Sequence, residues 1–288
     1  LIVQNKKLQI FSNPIIQNVS KRVEKYSSPE ALSKLYKWNL PALPEILKQE
    51  FEEFLKQHLS LDVTNSYGKT IALRRWIEGQ LSDSDPVISQ VMYRWIVKDW
   101  GGIKTGKDDV LTDGVLNAIK AHAESLEKFT FERISSWSKV IAFRFPKTRA
   151  IYDVRVIYSL NWFLLESGHA GKFFPPSSGR NSLINFFSYE QDLYLRVHGR
   201  PKIIQAFKEE LEKRMSSDKS MKSSMVTSLG KVVYIAQDYA YQSYCNLLQE
   251  IAIKLFGADD DFGVTKVEMI LFSIADGDVI DDVMMHSR

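Results

Sequence analysis

With 288 residues, 44% of them hydrophobic and 12% aromatic, the chain is too apolar for disorder and long enough for one large domain or two lobes. A net charge of +3 does not by itself announce nucleic acid. A single cysteine, Cys245, excludes an intrachain disulfide, a zinc knuckle and a cysteine-ligated iron–sulfur cluster, and fits a reducing, intracellular setting. The five histidines are scattered with none at ligand spacing from another, so no metal site and no cofactor are expected. No apolar run approaches the roughly 20 residues that span a bilayer, and the opening LIVQNKKLQIF lacks the long apolar core of a secretory signal. The expectation is a cytoplasmic protein with no membrane partner.

Helical periodicity dominates along the chain. Pro44 is placed to open a helix to about His58. Residues 71–81 read as another, and Pro86 opens one reaching Trp100, where Gly101 and Gly102 end it. Asp113 can cap a helix through Glu127. Thr130 can cap a short helix to Ser136, followed by one over 137–145 that Pro146 stops. Asp153 is an N-cap for a helix over 154–166. After a loop at 168–179, an amphipathic helix covers 201–215, a polar stretch covers 216–224, and two long helices cover 226–256 and 264–285. Alternating strands and internal repeats are missing from the pattern. The expected fold class is all-α.

The stretch FERISSWSKVIAFRFPKTRAIYDVRV (131–156) concentrates the chemistry. It holds six basic and two acidic residues, a local +4 against +3 for the whole chain. An amine, Lys139, and a carboxylate, Asp153, stand 14 positions apart across a proline turn. Such a pair can cleave an N-glycosidic bond. The carboxylate stabilises positive charge that develops on the sugar, and a desolvated lysine attacks C1′ and forms a Schiff base. The target base must first leave the helical stack. The bland alternatives are a solvated helix lysine and an aspartate that only caps.

ISSWSKVIAF followed by PKTRAIYDVRV resembles the helix–hairpin–helix signature of the base-excision DNA glycosylase superfamily, nearest its 8-oxoguanine branch. Lys139 stands where that family has its catalytic lysine, and Asp153 where it has its aspartate. The chain departs from the family pattern at Ser136, Trp137 and Ser138, where a glycine-rich hairpin is usual. The resemblance covers about 25 residues. It implies a two-lobed helical fold with an interlobe cleft. One lobe would run from 60 to 146 and end in the hairpin; residues 1–59 and 147–288 would form the other.

The implied activity is release of a damaged or modified base from duplex DNA, with or without lysine-based strand scission. The base would be an oxidised purine, or a hypermodified viral base in an anti-phage role. Arg133, Ser136, Ser138, Arg144, Lys147, Arg149 and Arg155 are the expected DNA contacts. Gln237, Asp238, Tyr241 and Glu268 are candidates for the base pocket, Glu268 because a carboxylate within VEMILF is set to be buried and needs a partner. Trp95 and Trp100 read as core. The expected partner is duplex DNA, the protein being a nucleoid-associated monomer. The competing class is a non-catalytic helix–hairpin–helix DNA-binding module.

Overall fold

The structure, a computed structural model, describes residues 10–59, 61–83, 86–103, 111–124, 130–177, 181–216 and 224–286. It is all-α. In chain order the helices are α1 (Asn13–Glu24), α2 (Pro29–Leu35), α3 (Glu45–Gln57), α4 (Ser66–Asp83), α5 (Pro86–Arg94), α6 (Asp113–Glu124), α7 (Ile134–Arg144) and α8 (Val154–Glu166). There follow α9 (Ser182–Phe186), α10 (Glu190–His198), α11 (Arg200–Ser216), α12 (Ser224–Val233), α13 (Gln237–Phe256), α14 (Gly263–Ile274) and α15 (Ile280–His286). The β-structure among the described residues is one isolated bridge, Phe173 to Tyr234. Among the described residues no helix is long and apolar enough to cross a membrane.

Helix α7 is the centre of one packing set, lying against α4, α6 and the π-helical turn Trp95–Trp100. In a second set α14 packs on α8 and α13, and α1 covers α8 and α13. Helix α3 lies on α4, in the set expected to begin at residue 60, and α2 touches both α4 and α14. Large aromatic side chains fill the interior, with Trp137, Phe143, Tyr152, Trp162, Tyr241 and Tyr244 all fully buried. Local chemistry sets several ends. Ser28 accepts a hydrogen bond from the Ala31 amide (3.2 Å) at the start of α2, with Pro29 in its first turn. Helix α7 stops at Arg144, one residue short of the Phe145–Pro146 pair.

Three expectations about helix continuity are corrected. The short helix at 130–136 and the next at 137–145 are one helix, α7, entered through Arg133 in the left-handed region (φ 56°). Nearly every α7 side chain is buried, so packing on all sides carries the helix through Ser136, Trp137 and Ser138. The turn therefore lies before Ile134, between α6 and α7, and residues 125–129 lie outside the described residues. The helix expected over 226–256 breaks after Val233. There Phe173 donates its amide to the Val233 carbonyl (2.9 Å) and accepts from the Ile235 amide (2.8 Å), diverting the helical hydrogen bonds. Finally, the helices expected over 86–100 and 264–285 each contain a π-helical turn, at Trp95–Trp100 and Ala275–Val279. The first is closed by the Gly101 amide on the Ile96 carbonyl (2.9 Å), a five-residue step.

Candidate active site

Lys139 lies in the middle of α7, a helix with no solvent face, and is only 5% exposed. A lysine in such a place costs free energy unless its amine has a use or a partner. Its Nζ donates to the Ser135 carbonyl one turn earlier (2.7 Å). Burial pushes its pKa below the ordinary 10.5; the charges of Asp153 and then Glu268 pull the other way without cancelling the fall.

Space for the amine comes from Gly101, at the end of the first π-helical turn. A Cβ there would stand 2.6 Å from Lys139 Cδ, 2.7 Å from its Cε and 2.7 Å from the Val97 carbonyl oxygen. The lysine stem fills the place of the missing side chain. Gly101→Ala is expected to displace the amine and to lower stability by about 1–3 kcal/mol, because the Val97 backbone cannot step aside as a side chain tip can. Thermal melting and lysine-dependent activity measured together check this; an alanine variant with unchanged values of both would show that the contact is slack.

The loop of residues 145–153 brings Asp153 to the same place, and it is clamped almost residue by residue. Thr148 and Arg149 amides bond back to the Phe145 carbonyl (3.1 and 2.9 Å). The Ala150 carbonyl accepts from Tyr241 Oη (3.0 Å) and the Ile151 carbonyl from Tyr244 Oη (2.7 Å). The Ile151 amide donates to Glu268 (2.7 Å), and the Tyr152 amide to Ser138 Oγ (3.1 Å). Asp153 then caps α8, its Oδ1 accepting from the Arg155 amide (2.9 Å). A buried loop needs this complete pairing, and the result is a carboxylate held rigidly beside α7.

Lys139, Asp153 and Glu268 line one cleft. Its walls are Tyr36, Trp38, Trp100, Gly101, Ile151, Val156 and Phe272. The indole of Trp38 meets Phe272 edge-on at 5.5 Å and Trp100 at 5.6 Å. Trp38 sits in the extended segment after α2, which is tied down where Trp95 Nε1 donates to the Ala42 carbonyl (2.9 Å). The cleft encloses about 40 Å³, room for roughly two or three waters.

Glu268 has two roles. It forms a two-pronged ion pair with Arg74 of α4 (2.6 and 3.3 Å) while holding the Ile151 amide. Arg74 also donates to Thr265 Oγ1 (3.0 Å) and lies over the Phe143 ring at 4.9 Å. This pair joins α4 to α14 directly under the loop that carries Asp153.

Several expected site residues are elsewhere. Ser138 is fully buried and spends its hydroxyl on the Tyr152 amide, and Ser136 is buried inside α7, so neither faces a phosphate in this conformation. Arg149 turns inward and donates to Gln242 Oε1 (3.1 Å). Arg155 pairs with Asp276 (2.8 Å) and covers the Phe272 ring, and exposed Lys147 pairs with Asp261 (2.9 Å). Arg133 is exposed; half-buried Arg144 lies over Phe145. The basic rim is thus narrower than the sequence suggests. Gln237 and Asp238 are exposed in the first turn of α13, and Tyr241 is buried beneath the loop. Of the four pocket candidates only Glu268 reaches the cleft.

Sequence reasoning missed Tyr36, Trp38 and Phe272 as walls and missed Arg74; Trp100 is buried in the core, as expected, and also borders the cleft. The one signal available was YKWNLP, two aromatics in a stretch with no helical period. Among the described residues no three His, Cys, Asp or Glu side chains gather as a metal-binding group. The chain matches no protein-family model, no curated protein and no solved structure.

Proposed function

We propose that the chain is a DNA glycosylase that releases a modified base from duplex DNA, with Lys139 as nucleophile and Asp153 as the electrostatic partner of the sugar. The observation that carries this reading is a lysine amine, 5% exposed, sharing one aromatic cleft with a rigidly held carboxylate. A lysine used only to grip phosphate belongs at the surface, where it neutralises charge without desolvation. Burial instead raises the share of neutral amine, the form that attacks carbon.

In this mechanism the extruded base enters between the aromatic walls. As the C1′–N bond lengthens, its electron pair leaves with the base and positive charge grows on the sugar beside Asp153. The Lys139 nitrogen bonds to C1′ and gives up a proton, and the departing base gains one. Opening of the sugar ring leaves an imine, which water hydrolyses or β-elimination converts to a strand break. Helices α3 to α7 and the remaining helices would form the two lobes flanking the cleft. Ligand sites commonly enclose about 300–1,000 Å³, so Trp38 and Phe272 must part for a base to enter. An oxidised purine, or a hypermodified viral base, is the class that the resemblance favours.

Asp153→Asn tests the electrostatic role. Base release should fall by about 10²-fold or more, and trapping on preformed abasic sites should fall much less, because the leaving base creates most of the charge. Single-turnover kinetics on matched duplexes measures both; an asparagine variant as fast as wild type would remove Asp153 from the mechanism.

A further inference from the structure

Two residues that line the cleft carry donors without a hydrogen-bond partner among the described residues. Trp38 Nε1 and Trp100 Nε1 are both shut off from solvent, and neither has a hydrogen-bond partner among the described residues. Both indoles line the cleft with Lys139 and Asp153. An indole N–H donates and cannot accept, and a buried donor without a partner costs about 1–3 kcal/mol. Such groups are rare in folded proteins, and a functional role is one of the reasons they persist.

Apart from Asp153 Oδ2, the carboxylate oxygens nearby are already engaged. Glu268 is taken by Arg74 and the Ile151 amide, and Asp153 Oδ1 by the Arg155 amide. The walls therefore offer more donors than acceptors. An extruded base is flat and can stack on Tyr36 or Phe272, leaving its edge to the two indoles.

We infer that Trp38 and Trp100 are specificity residues that read a carbonyl oxygen on the edge of the extruded base, so that the cleft takes oxo-substituted bases and rejects their amino counterparts. The inference rests on the glycosylase reading and deepens it. The rule crosses ring classes: a purine or pyrimidine qualifies if an oxo group stands where its analogue has an amine. An amine would set donor against donor, and a site built for hydrogen bonding rejects the mismatched analogue strongly.

The test uses two matched pairs in otherwise identical duplexes, 8-oxohypoxanthine against 8-oxoadenine and 5-hydroxyuracil against 5-hydroxycytosine, the first member of each carrying an oxo group where the second has an amine. Each is placed on a 2′-fluoro sugar that resists cleavage, so affinity is read apart from chemistry. The oxo member should bind at least about tenfold tighter in each pair. Trp38→Phe and Trp100→Phe keep the ring and lose the N–H, and each should bring the ratio towards one. Taking the ratio within each variant cancels any general loss of binding or folding. Equal affinities, an amino preference, or phenylalanine variants that keep the wild-type ratio would overturn the inference; the last result would mean that the N–H groups are satisfied by the neighbouring Phe272 and Phe143 rings. Borohydride trapping of the wild type on a plain abasic-site duplex reports separately on the glycosylase reading, since no base is present to be recognised.

Discussion

Arg74→Met is expected to lower folding stability by about 3–5 kcal/mol, the cost of stranding one partner of a buried ion pair. Arg74 is wholly buried and Glu268 nearly so, and the pair ties α4 to α14. Removing both charges is a different experiment. In Arg74→Met with Glu268→Leu no charge is stranded, and apolar replacement of a buried pair is often close to neutral. Here the double variant still leaves the Ile151 amide without its acceptor, a residual cost of about 1–3 kcal/mol. Glu268→Gln keeps that acceptor and loses the charge, so it separates the two roles. Urea denaturation of the four proteins gives the answer; an Arg74→Met variant no less stable than the double would mean that losing Arg74 does not strand Glu268 as a buried charge. Because Ile151 precedes Asp153 by two residues, activity should fall with Glu268→Leu even at temperatures where the protein stays folded.

Lys139→Gln and Lys139→Met should abolish lysine-dependent chemistry while leaving the fold at least as stable. The sign follows from the depressed pKa of Lys139. Its folded-state pKa lies below its unfolded one, so between the two values the unfolded chain binds more protons. Stability then rises with pH across that window, and at lower pH the folded state carries the full penalty of a buried charge. Lys139→Met removes the penalty. Its advantage over wild type should be largest near neutrality and shrink as pH climbs towards 10.5, the ordinary lysine value. The wild-type rate of the lysine step should increase with pH and level off once the amine is neutral, below the pH at which an exposed lysine would do so. Loss of activity joined to a gain in stability marks a residue kept for function. Melting temperatures of Lys139→Met across the pH range provide the check; a destabilised variant would mark Lys139 as a structural residue.

Much of the architecture was legible because prolines and caps act locally. Pro44, Pro86, Pro146 and Asp153 each sit at or beside a helix end, in agreement with rules that need only a few neighbours. Glu268 was legible as buried because an apolar run surrounds it. The walls of the cleft were not legible. Tyr36 and Trp38, Trp100, and Phe272 come from three separate stretches of chain, and no local period marks them as meeting. Inward-facing polar groups misled for the same reason. Ser138 and Arg149 look like a phosphate rim in sequence, yet their partners, Tyr152 and Gln242, appear only once the loop folds against α7 and α13. The π-helical turn that delivers Gly101 to Lys139 carries no sequence signature beyond the glycine pair.

The most direct test of the central claim is borohydride trapping on duplex oligonucleotides bearing a panel of modified bases, including 8-oxoguanine and glucosylated hydroxymethylcytosine, with an abasic-site duplex alongside. The account predicts a covalent protein–DNA adduct with wild type that is absent with Lys139→Gln, mapping by peptide analysis to Lys139. An adduct that survives in Lys139→Gln, or the absence of any adduct on the abasic-site duplex, would contradict it.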